Sequence, residues 1–400
     1  MKRIAIVVQR WHDEVVGGSE ALAWHYAELL APHYAVEVLT SCARDYRTWA
    51  NELPAGESQH DGITLRRFPT AWPRGPWFND LHRRLLADYA RRQPGAEGPL
   101  GWRPQLAEEF IRAQGPWCPG LYDWLDAEHE RYACVLFCTY LYPTTHFSLS
   151  VVPPRKQVLI PTLHDEPPAY LPVYAAAARA CGHRIWLTDA ERRLGRRLWQ
   201  VDEGDVVGMA VDTRIADARN PHARGETSYF LYCGRIDEAK GCGELIDAFL
   251  ALRRERREPV QLWLTGSEGM PLPSHPDIRF LGFVDADSKS ALMAGATAFV
   301  MPSALESFSI VTLEAMAQTA PVIVNARCDV LADHVTRSGG GITYSSRNGL
   351  VDAMRQALSL DTDARQAMGS SGRRYVLEHY DRTAVAQRLQ AVVARACAQA

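Results

Sequence analysis

Two glutamates stand eight positions apart in the run Met301-Pro-Ser-Ala-Leu-Glu306-Ser-Phe-Ser-Ile-Val-Thr-Leu-Glu314, which passes from a strand pattern into a helix pattern at about Ser309. Glu306 belongs to the loop and Glu314 to the helix, so the pair could reach different parts of one elongated ligand. Between them Ser307, Phe308 and Ser309 lead into a helix N-terminus. Backbone N–H groups there have no intrahelical acceptor and sit at the positive end of the helix dipole, an arrangement suited to a diphosphate. Taken alone, two glutamates near a helix start usually mean capping and solvation. A second segment, Cys233-Gly-Arg235-Ile-Asp-Glu-Ala-Lys240-Gly241, follows an apolar run and sets Arg235 and Lys240 at a strand's carboxyl edge, where open α/β sheets bind ligands. Two cations there can offset the charge that grows on a departing nucleoside diphosphate. A plain surface loop is the alternative.

In combination and in this order, the Gly234-Arg235…Lys240-Gly241 turn and the Glu306-x7-Glu314 motif resemble the donor half of glycosyltransferase family 4, a retaining family of GT-B fold. The resemblance implies that Arg235 and Lys240 bind the phosphates, that Glu306 contacts the donor sugar and that Glu314 holds the ribose hydroxyls. Gly266 and the Phe280-Leu281-Gly282-Phe283-Val284 segment match further strand-end landmarks, near the nucleotide base. In the first half, residues 9–20 look like the family's N-terminal glycine loop, where Gly17 and Gly18 would let backbone N–H groups approach phosphate or acceptor. The Pro161-Thr-Leu-His164-Asp-Glu166 loop resembles the family's histidine loop and implies that His164 touches donor sugar or acceptor; a hydrogen-bonded loop histidine is the alternative. Ser309 and Thr319 depart from the family pattern, which usually has glycine at both positions.

The function so implied is retaining transfer of a sugar from a nucleotide-diphosphate sugar to a hydroxyl of a glycan or lipid-linked glycan. Attack from the same face would pass through an oxocarbenium-like state. His164, Glu306, Arg235 and Lys240 form the expected catalytic set, with no obligatory cofactor or metal, and the base (UDP, GDP or ADP) is left open. Residues 41–56, a Trp/Pro-rich insertion and His164-Asp165-Glu166 also resemble bacterial enzymes of surface-polysaccharide and O-antigen assembly. Two alternatives stand beside this: a nucleotide-sugar-binding subunit without catalysis, and a nucleotide-sugar epimerase on the same fold.

The elements that must position these residues are an alternation of strands and helices. Strand patterns fall at 3–8, 36–40, 63–68, 134–139, 157–160, 184–187 and 205–207, then at 228–233, 260–265, 278–281, 298–301 and 322–324, mostly separated by helix-length segments. A chain of 400 residues exceeds the roughly 250–300 that one core serves. The expected architecture is therefore α/β, two Rossmann-like doubly wound parallel-sheet domains facing an interdomain cleft. Residues 1–215 with 381–400 form the acceptor side and 216–380 the donor side, joined through a polar linker at 216–227. A terminal helix from about Arg382 returns to the first domain. The insertion at about 70–128 carries Trp72, Trp77, Trp102, Trp117 and Trp124 among seven prolines, and reads either as a helical cap or as an acceptor-sugar platform.

A net charge of −3 argues against a nucleic-acid binder. Nine cysteines without a CxxC pair suit a reducing cytosol, and five apolar residues after Arg3 are too few for a signal-peptide core. The expected location is cytoplasmic. Arginine clusters at 192–197 and 253–257 read as solvated helix faces, or as contacts to anionic lipid in a peripheral association at the inner face of the membrane. Nothing in the sequence fixes an oligomeric state.

Overall fold

Eight short segments of the first half pair into one sheet: β1 (Arg3–Val7), β2 (Ala35–Ser41), β3 (Gly56–His60), β4 (Ile63–Phe68), β5 (Cys134–Cys138), β6 (Gln157–Ile160), β7 (His183–Trp186) and β8 (Asp205–Val206). Their order is β3-β4-β2-β1-β5-β6-β7-β8, and every pairing is parallel except the β3/β4 hairpin. Strands covered on both faces need apolar residues at successive positions, which is why β5 reads Cys-Val-Leu-Phe-Cys and is buried throughout. The hairpin turns at Asp61 and Gly62, both at positive φ (48° and 78°), as a two-residue primed turn requires.

Six segments of the second half form an all-parallel sheet: β9 (Tyr229–Cys233), β10 (Gln261–Thr265), β11 (Ile278–Phe280), β12 (Ala298–Met301), β13 (Val322–Asn325) and β14 (Gly341–Tyr344). Their order, β11-β10-β9-β12-β13-β14, is that of a doubly wound nucleotide-binding sheet, third-second-first-fourth-fifth-sixth. In such a sheet the connections from β9 and from β12 leave on opposite sides, opening a crevice at the carboxyl ends of these two neighbours.

This computed structural model describes residues 1–13, 17–93, 98–216 and 228–399. The chain divides into two compact units, Met1–Met209 with Ala386–Ala400, and Ala210–Val385. The division falls ahead of the expected boundary at 215/216, because residues 211–216 already bond to the second unit. Val211 N–H donates to Tyr380 O at 2.9 Å, Arg373 to Thr213 O at 3.0 Å, and Gln318 both donates to Arg214 O at 2.7 Å and accepts from Ala216 N–H at 2.9 Å. The expected linker beyond Ala216 lies outside the described residues. Among those residues no helix is long and apolar enough to cross a membrane.

The Trp/Pro-rich insertion contains the helices Phe78–Ala90, Pro104–Gln114 and Pro119–Glu128; its Pro94 lies outside the described residues. Phe78, Trp102, Phe110 and Leu121 join the core of the first unit. Trp102 Nε1 donates to Asp88 at 2.9 Å, so its polar edge is satisfied inside the cap. Trp72 and Trp77, each 38% exposed, are the insertion's open aromatic surface among the described residues.

Candidate functional site

The loop after β9 is shaped by glycines that have no room for a side chain. A Cβ on Gly266, at the end of β10, would lie 2.0 Å from Gly234 O, so the two strand-end turns are pressed backbone to backbone. Gly241 (φ 76°) plays the same part toward β12, where a Cβ would stand 2.6 Å from Pro302 O. Between these contacts Asp237 accepts from Lys240 N–H at 2.9 Å and caps the turn Glu238–Lys240. The close approach of the β9 and β12 loops carries Lys240 to Glu306. Lys240 Nζ donates to Glu306 Oε1 at 2.6 Å, with the two side chains 31% and 14% exposed. Arg235 donates to Asp237, with its side chain 44% exposed at the same edge. Residues 66 positions apart are thus joined in the crevice that the strand order opens.

The loop after β12 is fixed at its root by Asn325 Nδ2, which donates to Pro302 O at 2.9 Å. Ser307 and buried Phe308 lead to Ser309, the N-cap of the helix Ile310–Ala317, at φ 60° and ψ 63°. The Ser309 and Thr312 hydroxyls lie 2.9 Å apart. Thr319, the other departure from a family glycine, has φ 62°. Both positions therefore adopt the left-handed backbone that glycine takes without steric penalty.

Glu314 is held by a residue to which sequence reasoning gave no role. Lys289, on the helix Ala286–Gly295, lies 2.8 Å from each carboxylate oxygen of Glu314. A lone lysine in a helix carries no signal that separates it from a solvated one. At the end of β10, Gly282 O accepts from Gly266 N–H at 2.9 Å and from the Thr265 hydroxyl at 2.7 Å, and Phe283 beyond it is 71% exposed. The sequence contains two Asp-x-Asp triplets, but Asp285 and Asp361 cap helices by accepting from Ser288 N–H and Ala364 N–H. No group of three or more metal-ligating side chains occurs among the described residues.

Gly17, Gly18 and His164 belong to the first unit. Gly17 is the extended N-cap of the helix Gly18–Leu30, and a Cβ there would stand 2.2 Å from Glu20 Oε2. Its missing side chain makes room for the Glu20 carboxylate, which pairs with Arg10 at 2.6 Å. Gly18 faces open space. His164 Nδ1 lies 3.7 Å from Glu166, which accepts from the Tyr140 hydroxyl at 2.8 Å. Burial works to raise the Glu166 pKa, but the neighbouring His164 imidazole and the hydrogen bond from Tyr140 outweigh it and hold the carboxyl below its ordinary value. Beneath the loop, fully buried Glu191 accepts from Leu163 N–H at 2.6 Å and Leu187 N–H at 2.5 Å. Burial pushes its carboxyl up to about 7 against those bonds. Arg197, from the first arginine cluster, pairs with Asp165 at 2.5 Å, so it braces the same loop. Glu191 and Arg197 were not singled out as site residues from the sequence, because only the fold brings them beneath or beside the His164 loop; Glu166, two residues from His164, was read as part of that loop without a role of its own.

Residues 227–360 match the family model described as Glycosyl transferases group 1. A phosphatidyl-myo-inositol mannosyltransferase of Propionibacterium freudenreichii is 30% identical over 171 residues, which is 41% of this chain and 44% of that protein, so the chain spans less than half the relative's length. A D-inositol 3-phosphate glycosyltransferase of Frankia alni is 26% identical over 377 residues, 85% of this chain and 83% of that protein. Among solved structures, HepE of Anabaena in complex with UDP and glucose superposes with a TM-score of 0.64 at 14% identity, covering 98% of this chain and 100% of that one. The fold, two parallel-sheet α/β units, is of the GT-B type.

Proposed function

We propose that this chain, whose second unit carries a Glycosyl transferases group 1 domain on a GT-B fold, transfers a sugar from a nucleotide-diphosphate sugar to an acceptor hydroxyl with retention of configuration. The observation that carries the proposal is the Lys240–Glu306 pair, set at the junction of β9 and β12 beside the N-terminus of the helix Ile310–Ala317. Arg235, Lys240 and the first-turn N–H groups of that helix bind the two phosphates. Glu306 contacts the donor sugar, Glu314 takes the ribose hydroxyls, and Gly266 with the Phe283 segment borders the base. The first unit, with His164 on its braced loop and the Gly17–Gly18 turn, takes the acceptor.

In the reaction the bond from the anomeric carbon to the leaving phosphate oxygen breaks, and a bond from that carbon to the acceptor oxygen forms on the same face. The acceptor proton passes to the departing phosphate oxygen. Negative charge grows on the diphosphate as it leaves, and Lys240 and Arg235 stabilise it there more than in the ground state. The likeness to a phosphatidyl-myo-inositol mannosyltransferase and a D-inositol 3-phosphate glycosyltransferase supports sugar transfer. A glycan or lipid-linked glycan of a surface polysaccharide is the acceptor assigned here. HepE, solved with UDP and glucose, makes UDP-sugars the first donors to try.

A thermal-shift screen of UDP-, GDP- and ADP-sugars tests the donor, since a ligand of the native state raises the melting temperature with its binding. One nucleotide should stabilise the chain, and incubation with acceptor should then yield a new glycosidic bond. Binding without transfer or donor hydrolysis would leave a nucleotide-sugar-binding subunit, and donor conversion without acceptor would mean an epimerase.

A further inference from the structure

His334, on the helix Asp329–Ser338, is 1% exposed and lies behind the loop that carries Glu306. Its Nε2 is 2.9 Å from the carbonyl oxygen of Phe308, and its Nδ1 is 3.1 Å from the Tyr375 hydroxyl. A carbonyl oxygen only accepts, so Nε2 carries the proton. Burial keeps the ring neutral, with its pKa pushed down to about 4, so Nδ1 is bare and accepts from the Tyr375 O–H. The Tyr375 oxygen is in turn 3.3 Å from the Tyr380 hydroxyl. The Phe308 ring meets Tyr380 edge-on at 5.2 Å between centroids. A directed set of hydrogen bonds thus ends on one atom, the oxygen of the peptide that joins Phe308 to Ser309.

In a planar trans peptide the C=O and the N–H point in opposite directions. Holding Phe308 O against His334 therefore aims Ser309 N–H away from the buried ring. Ser309 sits at φ 60°, which a residue with a side chain resists. Rotating the Phe308–Ser309 peptide would relieve that strain, but it would break the His334 bond and leave a buried carbonyl unsatisfied.

We infer that His334 is a positioning residue for the donor: through the Phe308 carbonyl it locks the peptide that aims the helix's N-terminal N–H groups, a role that rests on reading this helix start as the diphosphate seat. The side chain touches neither donor nor acceptor. Its contribution is the orientation of a backbone group 26 residues away.

Calorimetric titration of UDP, GDP and ADP into the full chain tests this, using wild type, His334→Leu, His334→Gln and Tyr375→Phe, each also in the Ser309→Gly background, with Lys240→Ala as control. His334→Leu should weaken nucleotide binding about tenfold, and His334→Gln, which keeps an N–H donor, should recover part of the loss. In the Ser309→Gly background the His334→Leu loss should shrink to under about threefold, because glycine holds a positive φ unaided. A purely structural role would lower affinity equally in both backgrounds. If His334→Leu does not fold, the same comparison is made with Tyr375→Phe, expected to weaken binding about two- to threefold. Wild-type affinity in a folded His334→Leu, or an equal loss in both backgrounds, overturns the positioning role. A loss in Lys240→Ala without one in His334→Leu sinks this inference alone. Failure of wild type to bind all three nucleotides, or no effect of Lys240→Ala, sinks the donor site and the inference with it.

Discussion

Replacing Lys240 with alanine removes the cation that the β9 loop brings to Glu306 at 2.6 Å. Unit charges about 4 Å apart interact by about 1 kcal/mol in water and about 4 kcal/mol at an effective dielectric of 20. With its side chain 31% exposed, Lys240 lies between these limits. A loss of about 2–3 kcal/mol of transition-state stabilisation corresponds to a rate reduced about 30- to 150-fold. The loss should fall mainly on kcat, since the diphosphate gains charge as it departs. Lys240→Arg, which keeps charge but not the compact ammonium, should retain more activity than alanine. The assay is release of nucleoside diphosphate at saturating and subsaturating donor. Pairing Lys240→Ala with Glu306→Gln separates two roles. If Lys240 only neutralised Glu306, its removal would cost nothing further in the Glu306→Gln background; if it serves the leaving group, the loss persists there. A Lys240→Ala rate within twofold of wild type, or a Lys240→Ala/Glu306→Gln rate equal to that of Glu306→Gln alone, would remove Lys240 from the leaving group.

Glu314→Ala should weaken nucleoside diphosphate binding about 10- to 100-fold, the worth of hydrogen bonds to a charged group, while leaving inorganic pyrophosphate binding unchanged; equal losses for both ligands would move Glu314 off the ribose. Lys289→Met, which removes the ammonium that steadies Glu314, should act in the same direction with smaller effect, and a gain in nucleotide affinity would contradict it. Thr319→Gly should stabilise the second unit by about 0.5–1 kcal/mol in urea unfolding, because a left-handed residue with a side chain costs about 1–2 kcal/mol and glycine about 0.5–1 in chain entropy; destabilisation would show that Thr319 is not strained. His334 is neutral in the fold down to about pH 4, whereas in the unfolded chain it takes a proton below about 6.5. Its contribution is therefore full above pH 6.5 and is lost as pH falls toward 4, about 2 kcal/mol between pH 7 and pH 5. Hydrogen exchange of the second unit at the two pH values should show that loss, and His334→Gln should flatten it.

The interior strands were legible from their apolar residues, continuous in Ala298–Met301 and, in Ile63–Phe68, the buried Ile63, Leu65 and Phe68 around Thr64, Arg66 and Arg67. Ile63–Phe68, Gln157–Ile160 and Ala298–Met301 coincide with the segments read from the sequence. The edge strands β3 and β14 were not marked. Gly56–His60 reads Gly-Glu-Ser-Gln-His and is almost wholly exposed, so no apolar periodicity reveals it. Its signal was the Asp61-Gly62 turn two residues before Ile63. The Arg235–Lys240 turn and Glu306 could be read because each follows an apolar strand, which fixes the end of the sheet it occupies. Lys289 and Glu191 could not, since their meaning comes from partners that only the folded chain supplies. Ser309 and Thr319 were noted as missing glycines, and the structure gives the physical content, a positive φ at both.

A structure of the chain with the nucleoside diphosphate selected by the donor screen decides whether the ends of β9 and β12 form the donor seat. Phosphate oxygens should lie within hydrogen-bonding reach of Arg235, Lys240 and Ser309 N–H, with the ribose diol on Glu314 in place of at least one bond from Lys289. A nucleotide seated away from the ends of β9 and β12, or one that leaves Lys240 and Glu306 paired only with each other, would contradict it.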